Sequence, residues 1–175
     1  MAFAIRSPSP QAINYVSRNN LTTNIRYPYT SGLTGNPGTC KSIIISSTVT
    51  GQAVQLSGSA TRVSPSNNEA ALMAAVAVAP TTIYFCATNN FVRYGGGVFS
   101  DPTCSAANIN HAMVAVGYYW SGTSSSSYWI IKNSWGTGWG KDGLTDLGGH
   151  LVRGAYILGP ETWMNTKYPA GYLLC

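Results

Sequence analysis

An imidazole and a carboxamide stand out as the groups able to do chemistry. His111 lies in NHAMVAVGY, and Asn133 follows in the tryptophan- and glycine-rich stretch YWIIKNSWGTGWGKDG. Histidine changes charge near neutral pH, so it can take a proton from a nucleophile and return it to a leaving group. An amide cannot titrate, but its oxygen can hold an imidazole N–H and so fix the ring's tautomer and direction. A thiol attacks a carbonyl only as the thiolate, and an adjacent imidazolium favours that form. A lone histidine or a turn asparagine is ordinarily structural. A functional role for His111 and Asn133 therefore needs more than their residue types.

Four cysteines are available: Cys40, Cys86, Cys104 and Cys175. They include no CxxC pair, and the two histidines, His111 and His150, are far apart, so no zinc framework is expected. Four cysteines allow three full pairings, and spacing does not choose among them. No cofactor is expected.

Composition narrows the class. The chain has 175 residues, 45% hydrophobic and 9% charged, against about 25% charged in average proteins. That length supports a core, and that hydrophobic content argues against disorder. The net charge of +5 comes from ten scattered Lys and Arg, with no basic cluster to mark a nucleic-acid surface. The longest apolar run, residues 70–80, is too short to span a membrane, and residues 1–5 are too short for a signal-peptide core. Nucleic acid and membrane are therefore not expected partners. Asn20-Leu21-Thr22 is a glycosylation tripeptide of a kind common by chance.

The elements that must position His111 and Asn133 follow from periodicity. Residues 11–19, with Ala12, Ile13 and Val16, predict a short one-sided helix after Pro8 and Pro10. Tyr27-Pro28-Tyr29 predicts an extended path, residues 30–39 a loop, and residues 41–56 strands. Ser66 and Glu69 match a capping box for a helix over residues 70–79, which Pro80 ends. Residues 81–87 read as a buried strand containing Cys86, and residues 95–97 as a glycine turn. Residues 111–119 and 127–133 read as paired strands joined by a Ser-rich surface loop. No repeat is visible. One helix followed by several strands predicts an α+β domain built on an antiparallel, barrel-like sheet.

Residues 12–143 resemble the C-terminal two-thirds of papain-like cysteine proteases of the cathepsin L and papain type. KNSWGTGWGKDG carries most of the likeness. NHAMVAVGY, Tyr27-Pro28-Tyr29, Cys40 and residues 91–94 with Val98-Phe99 add matches in the same order, the last group matching the strand before the histidine. The resemblance implies a papain-like fold, chiefly its right-hand β domain with short flanking helices, the left helical domain being largely missing. It implies His111 as acid/base, Asn133 as its orienting amide, and Trp135 as the indole that shields their hydrogen bond and forms part of the primed-side substrate-binding surface. Ala112 and Tyr84 fall at positions lining S2, the pocket for the side chain two residues before the scissile bond. Peptide or protein substrates are implied, with a propeptide or a cystatin-like inhibitor as further partners. So is a lysosomal or extracellular location, although no signal peptide is expected within these residues.

The departures are as informative. The family's nucleophile stands in a Gln-Gly-x-Cys-Gly-Ser-Cys-Trp type motif opening a helix. None of the four cysteines here lies in such a setting, and the oxyanion-hole Gln and the substrate-binding Gly-Gly are not seen either. Cys40 and Cys104 match half-cystines, Cys104 being able to pair with Cys175. Three stretches are expected: residues 1–10 unmatched, 11–143 the His/Asn domain, and 144–175 divergent. The expected activity is peptide-bond hydrolysis by a Cys-His-Asn mechanism whose cysteine lies outside these residues. The alternatives are a non-catalytic decoy or regulator that binds a protease, propeptide or inhibitor, and a silicatein-like relative with Ser as nucleophile.

Overall fold

In the computed structural model, the structure describes residues 9–19, 21–23, 27–28, 30, 39, 53–54, 59–123, 126–148, 155–158 and 172–173. Cys40, Cys175, His150, Asn20 and most of the strands expected over 41–56 lie outside the described residues. Two compact units are present, one formed by residues 3–60 with 158–175, the other by residues 61–157.

The first unit holds α1 (Ser9–Val16), where the sequence predicts a helix, and a small antiparallel sheet. In that sheet β1 (Leu21–Thr23) pairs with β2 (Ala53–Val54) on one side and with Tyr172–Leu173 on the other. Asn14 Oδ1 accepts from the Ala60 N–H at 3.1 Å, linking α1 to residue 60.

The second unit positions the site. Its sheet comprises β3 (Ala60–Arg62), β4 (Thr81–Phe85), β5 (Val98–Phe99), β6 (His111–Tyr119), β7 (Tyr128–Lys132), β8 (Leu144–Gly148) and β9 (Ala155–Leu158). The order across the sheet is β3-β9-β4-β6-β7-β8-β5. The central ladders β4–β6, β6–β7 and β7–β8 are antiparallel, as expected, but β5 joins β8 in parallel. The sheet also runs past Gly143 into β8, with Leu144 opposite Lys132.

Side-chain alternation sets the faces. Along β4, Thr81, Ile83 and Phe85 are buried while Thr82 and Tyr84 are half-buried. Along β6, Met113 and Ala115 are buried, so His111, two residues before Met113, starts the same face. Ile83, Phe85, Phe91, Ile131 and Leu147 are each 0% exposed, so this face carries the core. Burying each such side chain contributes about 1.5–3 kcal/mol relative to leaving it in water. A bulge between Ala115 and Gly117 breaks the β6–β7 register, so the side chains beyond it are displaced relative to those near His111.

The helix α2 (Glu69–Val78) buries Leu72 and Val76, one turn apart, and packs against β6. Its cap differs from the expected box. Asn68, not Ser66, is the N-cap, and its Oδ1 accepts the Ala71 N–H at 2.8 Å. Glu69 is then already the first helical residue and cannot return a bond to Ser66 from the third position. A second correction concerns residues 91–94. Phe91 and Val92 lie in a helical turn, α3 (Asn89–Val92), because Thr88 caps it by accepting the Phe91 N–H; only Val98-Phe99 forms a strand. Cys86 falls just beyond the end of β4 rather than within it, buried and as a free thiol. The Ser-rich loop is exposed at Ser121, Gly122, Thr123 and Ser126, while buried Ser127 pins it by donating to the Thr123 carbonyl at 2.6 Å.

Candidate active site

His111 opens β6 and Asn133 follows β7 directly, so the central antiparallel pair brings two residues distant in sequence to one end of the sheet. His111 Nε2 and Asn133 Oδ1 are 2.9 Å apart. The same Oδ1 accepts the Ser134 backbone N–H at 2.8 Å. That second bond decides the chemistry. A flipped amide would set its NH₂ against the Ser134 N–H, donor against donor, so the oxygen must face both partners. An oxygen can only accept, and His111 Nε2 must therefore carry a proton. In neutral His111, Nδ1 is then the bare, basic nitrogen, and among the described residues it has no hydrogen-bond partner.

Trp135 lies over the imidazole, with ring centroids 4.9 Å apart and planes 28° from parallel. Burial holds the His111 pKa below its ordinary 6.5, against a smaller raising effect of the bond to Asn133. No ionised side chain contributes to that shift. The resting ring is thus biased toward the neutral form, able to receive a proton at Nδ1.

The loop over residues 133–143 holds Asn133 and Trp135 in place. Lys141 and Leu144 exchange both backbone hydrogen bonds, at 2.9 and 3.0 Å. Between them Asp142 and Gly143 both have positive φ, 55° and 85°. That is the mirror-image two-residue turn that Asp-Gly favours. The Gly143 carbonyl accepts the Asn133 N–H at 3.0 Å, which ties the turn to the site. Gly140, at φ +61°, passes so near the Leu144 carbonyl that a Cβ would sit 2.6 Å from its oxygen. Only glycine fits there. Lys141 also pairs with Asp146 at 2.6 Å, which draws the loop toward β8.

Ala112 and Tyr84 meet as well, as direct partners across β6 and β4. Being one residue along from His111, Ala112 projects to the opposite face of the sheet. The five residues singled out in the sequence therefore form two groups: His111, Asn133 and Trp135 on one face, Ala112 and Tyr84 on the other.

Beneath Trp135 lies an aromatic cluster that sequence reasoning did not assign to the site. Phe91, fully buried, has ring centroids 5.6 Å from Trp135 and 5.0 Å from Trp139. Trp139 lies 5.1 Å from Trp135 and donates its indole N–H to the Val92 carbonyl at 3.0 Å. The Asp-Gly dipeptide and the aromatic spacing were signals available for this loop; the long-range partners of Phe91 were not.

The family model for papain family cysteine protease matches residues 8–151, well over half of the chain. The chain belongs to the papain family of cysteine proteases. Cathepsin J of Rattus norvegicus is 38% identical over 143 residues, covering 78% of this chain and 39% of that protein. Fruit bromelain of Ananas comosus is 35% identical over 134 residues, covering 75% of this chain and 34% of its own length. The chain thus spans between a third and two fifths of these curated relatives. Among solved structures, the bromelain protease from Ananas comosus with the E64 inhibitor superposes with a TM-score of 0.66 at 31% identity, over 86% of this chain and 69% of that one. Digestive procathepsin L2 from Tenebrio molitor gives 0.70 at 27% identity, over 87% and 47%. The fold is accordingly papain-like and α+β, represented here chiefly by its sheet-containing part.

Proposed function

We propose that this chain supplies the acid–base half of a cysteine endopeptidase. The observation that carries the reading is the doubly anchored Asn133 oxygen, which leaves His111 protonated at Nε2 and basic at Nδ1. In this reading a cysteine thiol from a segment outside these 175 residues gives its proton to Nδ1. The thiolate attacks the peptide carbonyl, the C–N bond breaks, and His111 returns the proton to the departing amine. Water then attacks the thioester, giving its proton to Nδ1, and the acid product and the free thiol are released. Asn133 keeps the ring in one tautomer throughout, and Trp135 keeps water from their bond. Ala112 and Tyr84 form part of the S2 wall and narrow it where Tyr84 projects. Peptides or proteins are the substrates, with a propeptide or cystatin-like inhibitor as further partners and a lysosomal or extracellular setting.

The test starts from the transcript upstream of the Met1 codon. In-frame codons for a Gln-Gly-x-Cys-Gly-Ser-Cys-Trp type motif are expected. The longer product should hydrolyse a fluorogenic peptide, and His111→Ala should lower its kcat by on the order of 10⁶, as loss of the histidine does in a serine-protease triad. Serine at the nucleophile position would favour the silicatein-like relative. A stop codon with no such motif, together with a stable product of this length, would favour the non-catalytic binding protein.

A further inference from the structure

Asp101 is an unusual charged group in this unit. It is 2% exposed, yet among the described residues no cation is a partner that stabilises it. An ionised carboxylate tolerates burial only when hydrogen-bonded throughout. Four donors meet it. Oδ1 accepts the Thr103 N–H at 2.9 Å and the Thr103 hydroxyl at 2.6 Å. Oδ2 accepts the Thr88 hydroxyl at 2.6 Å and the Asn90 amide at 3.2 Å. These bonds, those from Thr103 and Thr88 foremost, lower its pKa to about 2, so the charge persists at every pH of interest.

Two of those donors belong to the start of α3. The Thr88 hydroxyl gives its proton to Asp101 and its lone pair to the Phe91 N–H, at 3.3 Å. The far end of α3 is held by the Trp139 indole on the Val92 carbonyl. Between these ties sits Phe91, packed against both Trp135 and Trp139. Trp135 in turn stacks on His111. The contacts run without a gap from Asp101 through Thr88, Phe91 and Trp135 to the imidazole.

We propose that Asp101 is a positioning residue for His111: by locking Thr88 and the α3 turn it seats Phe91 under Trp135 and so holds the indole over the imidazole. The inference rests on the reading of His111 as the acid–base group and extends the constellation to a carboxylate that never touches substrate. Releasing Asp101 loosens the indole, admits water to the ring, and relieves the burial that depresses its basicity.

The test is NMR titration of the His111 ring protons in the full chain, with the two histidine signals told apart by His111→Gln. Asp101→Asn leaves one pair of donors a neutral oxygen and sets the other pair against an NH₂, and Thr88→Val breaks the same link at its other end. Both should move the His111 pKa upward toward 6.5, whereas Thr88→Ser should keep the wild-type value. In a Trp135→Ala background Asp101→Asn should cause no additional shift, since the link is already cut. Thr88→Val serves where Asp101→Asn lowers the melting temperature too far for titration. Variants that melt earlier while His111 titrates as in wild type would overturn the proposal and make Asp101 purely structural. An unchanged titration in Trp135→Ala would overturn it differently, by removing the indole from the site, and would count against the proposed function as well.

Discussion

Asp101 and Asn133 are both buried polar side chains on loops beside the same sheet, and they are satisfied in opposite ways. Every oxygen of Asp101 has two donors. Asn133 uses its oxygen twice, while its Nδ2, fully buried, has no partner among the described residues. Leaving a buried donor unpaired costs about 1–3 kcal/mol. Turning the amide would not remove that cost, because the NH₂ would then face the Ser134 N–H. Under the proposed function, the difference separates an anchor from a working part. Asp101 is bonded so that nothing moves, whereas Asn133 is oriented for one atom, the oxygen that holds His111.

Phe91 joins the two regions, packing under Trp135 and following the Thr88 cap that Asp101 holds. Phe91→Ala should destabilise the chain by about 3–5 kcal/mol, the usual cost of emptying a fully buried phenylalanine site. Chemical denaturation would measure it. A loss under about 1 kcal/mol would mean that Phe91 is not the shared support of Trp135 and Trp139.

A gentler test scans melting temperature against pH. The Asp101 pKa falls from 3.8 unfolded to about 2 folded, so the unfolded state binds more protons between those values. Its contribution is therefore fully present above about pH 4 and is lost as pH drops through 2. Asp101→Asn should flatten that acid limb. His111 acts with the same sign at higher pH. Its folded pKa lies below 6.5, so stability falls as pH drops from 6.5 through the folded value. This step should be the smaller and should vanish in His111→Gln. An acid limb unaltered by Asp101→Asn would show that the carboxylate is not held as described.

How much of this was legible in the chain depended on the range of the interactions. Strands β4, β6 and β7 could be read because alternation is local and their buried faces repeat every second residue. The α2 helix could be read too, but not its cap, since Ser66 and Asn68 both suit the role and only the backbone shows which one the helix starts from. Phe91 and Val92 have strand-forming side chains, and the Thr88 cap overrode that preference. The meeting of His111, Asn133 and Trp135 was legible through the density of the surrounding motif. The carboxylate of Asp101 was not, because its partners Thr88 and Asn90 lie 13 and 11 residues away and no local pattern links them. The parallel pairing of β5 with β8 was hidden for the same reason.

Long-range ¹H–¹⁵N NMR of the imidazole measures directly whether Asn133 fixes the His111 tautomer. Above its pKa, His111 should carry its proton on Nε2 with Nδ1 bare, and Asn133→Ala should abolish the preference. A proton on Nδ1, or a tautomer unaffected by Asn133→Ala, would contradict the account.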